Sequence, residues 1–452
     1  MSQVIIGHVT DNSVNIWVRG IANNESTTTL NASITLKSEH LTVTQHLTIY
    51  KHDNFIGVVE FTDINPIDSG FIRVMFSVEV VFKDIAKVPI GPAIRGSFNT
   101  APRTSYDLTF LLGSNFLQRT PADGKRVFKT LINIRKQERP AFMLHAGNQI
   151  YIDAPTNPAG EQIQSEEYMN RYVAAWNHRE AGEFFARIAN YTAINDHELY
   201  FRFSNDVEYD YKPGTYYLRE ALPSYNLFQH NRNPHNYGEF NYYYNFEFGG
   251  NAFFVLDTRL ERYQFVRQDQ QRQMISPEQM EAFKNWLLAN KDVAKFVVTA
   301  VPFITIKETD YSEYWSAEAF IHQKEEILSF IKDHNIVSLV FLTGQGNAAL
   351  HSKLTLKRNN SSAIVLHELM CGPLSHYQAG ISNYDDFIWY QRNRSGELDY
   401  EYELQSGNGA HHPNVMSISI SGRQLIYKTY STRFDLDEDE MPPSILSGSI
   451  EL

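Results

Sequence analysis

Cysteine is almost absent: the 452 residues contain one, Cys371. A lone thiol excludes an intrachain disulfide and any multi-cysteine zinc site, so it leaves the redox compartment open, and the plain reading of Cys371 is a small buried hydrophobe. Positive charge is also scarce. Forty Lys and Arg stand against fifty-two Asp and Glu, a formal net charge of -12, which argues against a nucleic-acid backbone as partner. No segment approaches the roughly 18 uninterrupted apolar residues of a membrane span. The opening MSQVIIGHVTDNSVNIWVRG has no basic leader, long apolar core or twin arginine. The expected location by default is therefore cytoplasmic, with a missing leader or signal-less export as exceptions.

What is present suits a large packed fold. The chain is 42% hydrophobic and 13% aromatic, enough for one large domain and a smaller one. Over the first hundred residues, short alternating runs (Val14 to Val18, Leu41 to Ile49, Phe55 to Phe61) are separated by turn residues, and helical periodicity is missing. A small antiparallel β-sandwich over 1–100 is the economical answer. Prolines and glycines between Pro89 and Pro102 mark the exit into a second domain, 105–452.

There the texture changes. Leu108 to Leu112, Ala141 to Leu144, Ala252 to Leu256, Phe296 to Val301 and Val337 to Leu342 read as buried strands. Gly124 to Gln137, Ser165 to Ala189, Pro277 to Leu288 and Ala317 to Lys332 have helical spacing. Alternating strands and helices predict a layered α/β domain with ligands at strand carboxyl ends. Val415 to Ile420 and Gln424 to Tyr430 return to a strand pattern and are expected to close the second sheet. An aromatic-rich insertion around 205–248, including Tyr242-Tyr243-Tyr244 with His230, Arg232 and His235, is either a cap shaping a pocket or ordinary packing.

Unusual strings follow the strands: Gly113-Ser114-Asn115, His145-Ala146-Gly147-Asn148-Gln149-Ile150-Tyr151, Asn195-Asp196-His197-Glu198, Val255-Leu256-Asp257-Thr258-Arg259, Thr343-Gly344-Gln345-Gly346-Asn347 and Glu368-Leu369-Met370-Cys371-Gly372-Pro373-Leu374. In this order, over some three hundred residues, they resemble the PhoD-like alkaline phosphatase/phosphodiesterase family of metallophosphatases. The corresponding strings there are approximately G-S-C, H-x-G-D-x-I-Y, D-D-H-E, V-L-D-T-R, T-G-D-x-H and E-L-x-x-x-P, and the opening I-G-H-V-T-D-N-S-V-N-I-W-V-R is similar to that family's amino-terminal sandwich. The resemblance covers nearly the whole chain. It implies an α/β (α+β) fold in which the β-sandwich precedes a two-sheet α/β/β/α metallophosphatase-like domain.

The resemblance also implies a phosphoester hydrolase in which iron and calcium polarise the phosphoryl group and supply the nucleophile. Carried over residue by residue, most ligands differ. Asn115 stands at the Cys, Asn148 and Asn195 at Asp positions, Gln345 at an Asp and Asn347 at a His, while Tyr151, Asp196 and His197 match. Neutral amides remove the charge that would offset a trivalent ion, so a dinuclear iron-type centre is not expected; the expectation is no metal or a weakly bound divalent cation such as calcium. Asp196 and His197 are the candidate catalytic residues, Tyr151 and Asp196 the candidate metal ligands, and Asn115, His145, Asn148, Gln345 and Asn347 candidate ligand-binding residues. Each of Tyr151, His145, Asp196 and His197 also has a purely structural reading.

His351 is a conceivable stand-in for the missing histidine, Asp257 with Arg259 reads as a buried pair outside the metal shell, His411-His412 reads as a loop, and the acidic run Asp435 to Glu440 as solvated. Three functions stay open. The first is a degenerate family member with weak or no phosphatase activity that binds a phosphorylated or anionic small molecule, or a protein partner. The others are an active phosphoester hydrolase with a reduced or altered metal site, and an assembly scaffold.

Overall fold

The computed structural model describes residues 1–65, 72–104, 107–152, 163–206, 208–209, 212–264, 272–306, 313–358, 362–375, 387–396, 398–405 and 412–452. Strand alternation divides the side chains after residue 107 between two packing faces. In Leu108–Gly113 and Phe142–Ala146, Phe110, Leu112, Phe142 and Leu144 point one way and Leu111 and Met143 the other. The first set meets Phe246, Phe253 and Phe296 of a second sheet, with Phe110 and Phe142 both edge-on to Phe253. The second set lies under helices Pro121–Glu138, Ser165–Trp176, Arg179–Phe185 and Gly214–Phe228. On the far side, helices Pro277–Ala289 and Ile321–Asp333 cover Phe254, Val297 and Phe341. The result is the α/β/β/α layering that the family resemblance implies.

The first sheet has nine strands. Leu108–Gly113, Phe142–Ala146 and Ala189–Ala193 run parallel and adjacent at its centre, which gathers their carboxyl ends. In the eight-stranded sheet, Asn251–Val255, Lys295–Thr299 and Leu339–Thr343 are likewise parallel neighbours.

The amino-terminal region forms a sandwich that shares a sheet with the rest. Thr29–Lys37, Thr42–Tyr50, Met75–Lys83 and Ile94–Asn99 make one four-stranded layer. The opposite layer, Gln3–Val9, Val14–Arg19 and Ile56–Phe61, continues the nine-stranded sheet, with Ile6 in parallel register beside Ala189. Ile5 and Trp17 therefore pack under the helices while Ile6 and Ile16 face the sandwich core.

Some local expectations need correcting. The helix expected over Ser165 to Ala189 is two helices, because His178 is extended and its imidazole caps Arg179–Phe185 by accepting from the Ala181 N–H at 3.3 Å; Ala189 already begins a strand. Asn414–Ser421 and Gln424–Ser431 close the nine-stranded sheet, not the other one, since Asn414–Ser421 pairs antiparallel with Leu108–Gly113. Alternation identifies a strand without naming its partner.

The acidic run is docked: Asn133 donates to the carbonyls of Asp437 and Glu440 at 2.8 and 2.9 Å, and Lys136 lies 2.6 Å from Asp439. The aromatics Tyr217, Tyr225 and Phe228 of the 205–248 segment are core residues against the helix layer. Among the described residues, no helix is long and apolar enough to cross a membrane.

Candidate functional site

The loops that follow the parallel strands of both sheets meet, and glycine makes the approach possible. A Cβ at Gly344 would stand 2.6 Å from the Ala146 carbonyl oxygen and 2.7 Å from Ser114 Cβ. Gly147, at φ +82°, lies against Asn195. The first two loops are tied by the Asn115 N–H donating to the Gly147 carbonyl at 3.2 Å and the Phe116 N–H to the Asn148 carbonyl at 2.7 Å. Buried Glu198 ties in the third. Its carboxylate accepts from the backbone N–H groups of Asn148 (2.9 Å), Asn195 (3.0 Å) and Gln149, and from the Gln229 amide at 3.4 Å. Burial pushes this carboxyl up to about 7 despite those bonds.

On this frame the amide side chains form two relays. Asn148 Nδ2 donates to Asn115 Oδ1 at 3.2 Å, and Asn115 Nδ2 donates to Asn347 Oδ1 at 3.2 Å. Beside them, Asn195 Nδ2 donates to Gln345 Oε1 at 3.3 Å. Asn148 Oδ1 also accepts the His197 N–H at 3.1 Å. Asn115, Asn148 and Asn195 are buried, whereas Gln345 and Asn347 are half-buried at the mouth. Asn115, Asn148, Gln345 and Asn347 all hold left-handed backbone, with φ between 55° and 59°.

The Arg259 guanidinium enters the same cluster. It donates to Asn195 Oδ1 at 2.7 Å and Gln345 Oε1 at 3.0 Å, pairs with Glu313 at 2.7 Å, and stands 3.8 Å from Asp196. Asp257, buried beside it, meets Arg259 through the backbone: its carboxylate accepts the Arg259 and Leu260 N–H groups, both at 2.9 Å, and so shapes the turn that carries Arg259. Burial alone would raise the Asp196 carboxyl, but Arg259 and His197 outweigh it and hold it well below the usual carboxylate range. Asp196 Oδ2 accepts the Arg202 N–H at 3.0 Å, and its buried Oδ1 has no hydrogen bond among the described residues.

Tyr151 and His197, both half-buried, stack with ring centroids 3.9 Å apart. Tyr151 also borders a cavity of 390 Å³ lined by Phe116, Leu117, Ile150 and Arg171.

Two candidates lie elsewhere. His145 faces the helix layer, its Nε2 3.0 Å from Asn190 Oδ1, and burial pushes its pKa down to about 4. His351 sits in strand Leu350–Arg358, bonded to His367 at 2.9 Å and the Tyr427 hydroxyl at 3.1 Å, because the loop after Asn347 runs straight into that strand. His411 falls outside the described residues. Among the described residues no group of three or more His, Cys, Asp and Glu could hold a metal ion.

Sequence reasoning missed Glu198 as the clamp, Arg259 as a member of the cluster, and Glu313. Arg259 carried a signal in V-L-D-T-R; Glu313 carried none.

The PhoD-like phosphatase family model matches residues 109–414. A solved structure described as the structure of PhoD superposes with a TM-score of 0.70 at 16% identity, covering 99% of this chain and 89% of that one. A Bacteroides uniformis beta-glucuronidase 2 gives a TM-score of 0.25 at 8% identity, covering 100% of this chain and 60% of that one, too weak a likeness to bear on the fold. No curated protein matches the chain by sequence.

Proposed function

We propose that this chain, which belongs to the PhoD-like phosphatase family, binds a phosphorylated or otherwise anionic small molecule at the amide cluster and turns it over weakly or not at all. The supporting observation is the pair of amide relays with Arg259 among them. These residues do not fit the dinuclear iron-type centre that the family resemblance implies. Amide oxygens are neutral, and those of Asn115, Asn347 and Gln345 already accept hydrogen bonds from protein donors. A guanidinium in contact with the same amides adds repulsion toward a metal cation.

The cluster is better suited to an anion. Asn347 Nδ2 and Gln345 Nε2, at the half-buried mouth, have no hydrogen-bond acceptor among the described residues, and phosphoryl oxygens accept from such groups. Arg259 is balanced by Glu313 and Asp196, so affinity would rest on these donors more than on net charge.

A second reading is favoured by one observation, the carboxylate of Asp196, held well below the usual range, whose Oδ1 stands 3.8 Å from Arg259 and accepts no hydrogen bond among the described residues. With Tyr151, which stacks on the adjoining His197, as a further oxygen ligand, it supports a weakly held divalent cation such as calcium and an altered-metal phosphoester hydrolase. Hydrolysis of an aryl phosphate and an aryl phosphodiester, measured with iron, calcium, zinc or manganese added and alongside elemental analysis, separates the two. Near-background turnover together with saturable binding of inorganic phosphate is expected. Turnover that a chelator and Asp196→Ala both abolish would replace the first reading with the second.

A further inference from the structure

Behind the loop cluster lies a second polar centre. Arg232, in the short turn His230–Arg232, is 1% exposed, and its Nε, Nη1 and Nη2 are all buried without a hydrogen-bond partner among the described residues. The position is built closely: a Cβ at Gly7 would stand 2.7 Å from both Arg232 Cβ and its carbonyl oxygen, so the bare strand Gln3–Val9 lets this turn lie directly on it.

The guanidinium stays charged, since burial draws its pKa down only to about 10. A buried cation with five N–H donors needs both acceptors and a counter-charge. Its surroundings supply little of either. The Trp176 ring lies 5.1 Å from Cζ, a cation–π contact that offers electron density but no hydrogen-bond acceptor. The other groups acting on its charge are the hydroxyls of Tyr225, Tyr244 and Tyr172, which are neutral because burial raises each well above the ordinary tyrosine range. Glu198, which shares Tyr172 and Tyr225 as neighbours, has its oxygens engaged by three backbone N–H groups and Gln229.

We infer that Arg232 and the Trp176 Nε1–H, itself buried and without a partner among the described residues, form an internal site for one small monovalent anion, halide-like in size. A small ion suits the enclosure, since Arg232, Trp176, Tyr172, Tyr225 and Tyr244 are each almost wholly buried. His145 Nδ1 and Gln229 Oε1, also unpartnered among the described residues, are acceptors that water accompanying the anion can serve. The site is separate from the amide cluster and does not depend on the function proposed above.

Crystals of the full chain grown with bromide in place of chloride test the inference. An anomalous peak within hydrogen-bonding distance of the Arg232 guanidinium is expected. In solution at fixed ionic strength, replacing gluconate by bromide should raise Tm in proportion to the logarithm of bromide concentration, and Arg232→Met should remove that dependence. If Arg232→Met does not fold, the wild-type map and titration still decide. Density at Arg232 without an anomalous signal, or a peak seen only in crystals while Tm follows ionic strength alone, overturns the inference.

Discussion

Replacing Arg259 by Met tests whether the cation in the loop cluster holds the site together. In the folded chain Arg259 and Arg262 face Glu313 and Asp196, two charges against two, all buried. The substitution leaves one negative charge in excess and removes donors to Asn195 and Gln345. Breaking a buried pair costs about 3–5 kcal/mol. The lower end applies here, because Arg262 still stands 3.4 Å from Glu313. Urea unfolding followed by both fluorescence and circular dichroism should show a loss of about 3 kcal/mol at unchanged m-value. Arg259→Lys should recover part of it, since an ammonium restores the charge without the planar fork. The double variant Arg259→Met/Glu313→Gln should be less destabilised than the sum of its parts, because no unpaired carboxylate remains at 313. A cost below about 1 kcal/mol for Arg259→Met, or strict additivity in the double variant, would refute the reasoning.

Acidification should destabilise the protein before any carboxylate ion pair is titrated. Burial lowers His8, His145, His230 and His367 to about 4 and His351 to about 3, so between about pH 6.5 and pH 4 the unfolded chain takes up protons that the folded one refuses. Glu198 and Asp257, raised toward 7, act in the opposite direction but are outnumbered. The urea midpoint should therefore fall steadily from pH 7 to pH 4.5; a flat or rising midpoint contradicts the assignment. Gly147→Ala should cost more than about 2 kcal/mol, combining the left-handed penalty with a clash at Asn195 Cβ, and a Tm within a degree of wild type would show that the loop can shift. Asn133→Ala should release the 437–440 turn, at about 1–3 kcal/mol, and open it to limited proteolysis, whereas unchanged protease resistance would mean that the lysine pairs suffice.

The layers were legible because strand alternation and helical spacing report burial directly: Phe110 and Leu111, neighbours in sequence, face different cores as their pattern predicts. Pairing was not legible. Nothing in Gln3–Val9 says that it will lie beside Ala189–Ala193, and nothing in Asn414–Ser421 selects Leu108–Gly113, since period two specifies a face and leaves the partner to long-range packing. The site divided along the same line. Motif order located Asn115, Asn148, Asp196, Gln345 and Asn347, whereas Glu313, which follows the undescribed residues 307–312, enters only through Arg259.

The amides themselves have a backbone explanation that motif comparison alone does not give. Asn115, Asn148 and Asn347 have φ of 55°, 57° and 58°, a region that asparagine enters more readily than other residues bearing a side chain, because its short amide can bond locally. Asparagine at such positions costs the loop little, and the relay from Asn148 through Asn115 to Asn347 bonds the neighbouring amides to one another. Gln345, at φ 59°, lacks that preference and is held from outside, by Arg259 and Asn195. On the metal-free reading proposed above, local asparagine conformation and one buried guanidinium would hold the loops where ligand bonds would otherwise hold them. On this account Arg259→Met should loosen the Gln345 loop more than the Asn115 loop, a difference that hydrogen exchange at residues 344–347 against 113–116 would read. Equal loosening of both segments would mean that the guanidinium supports the cluster as a whole and that the asparagine conformations carry no independent share.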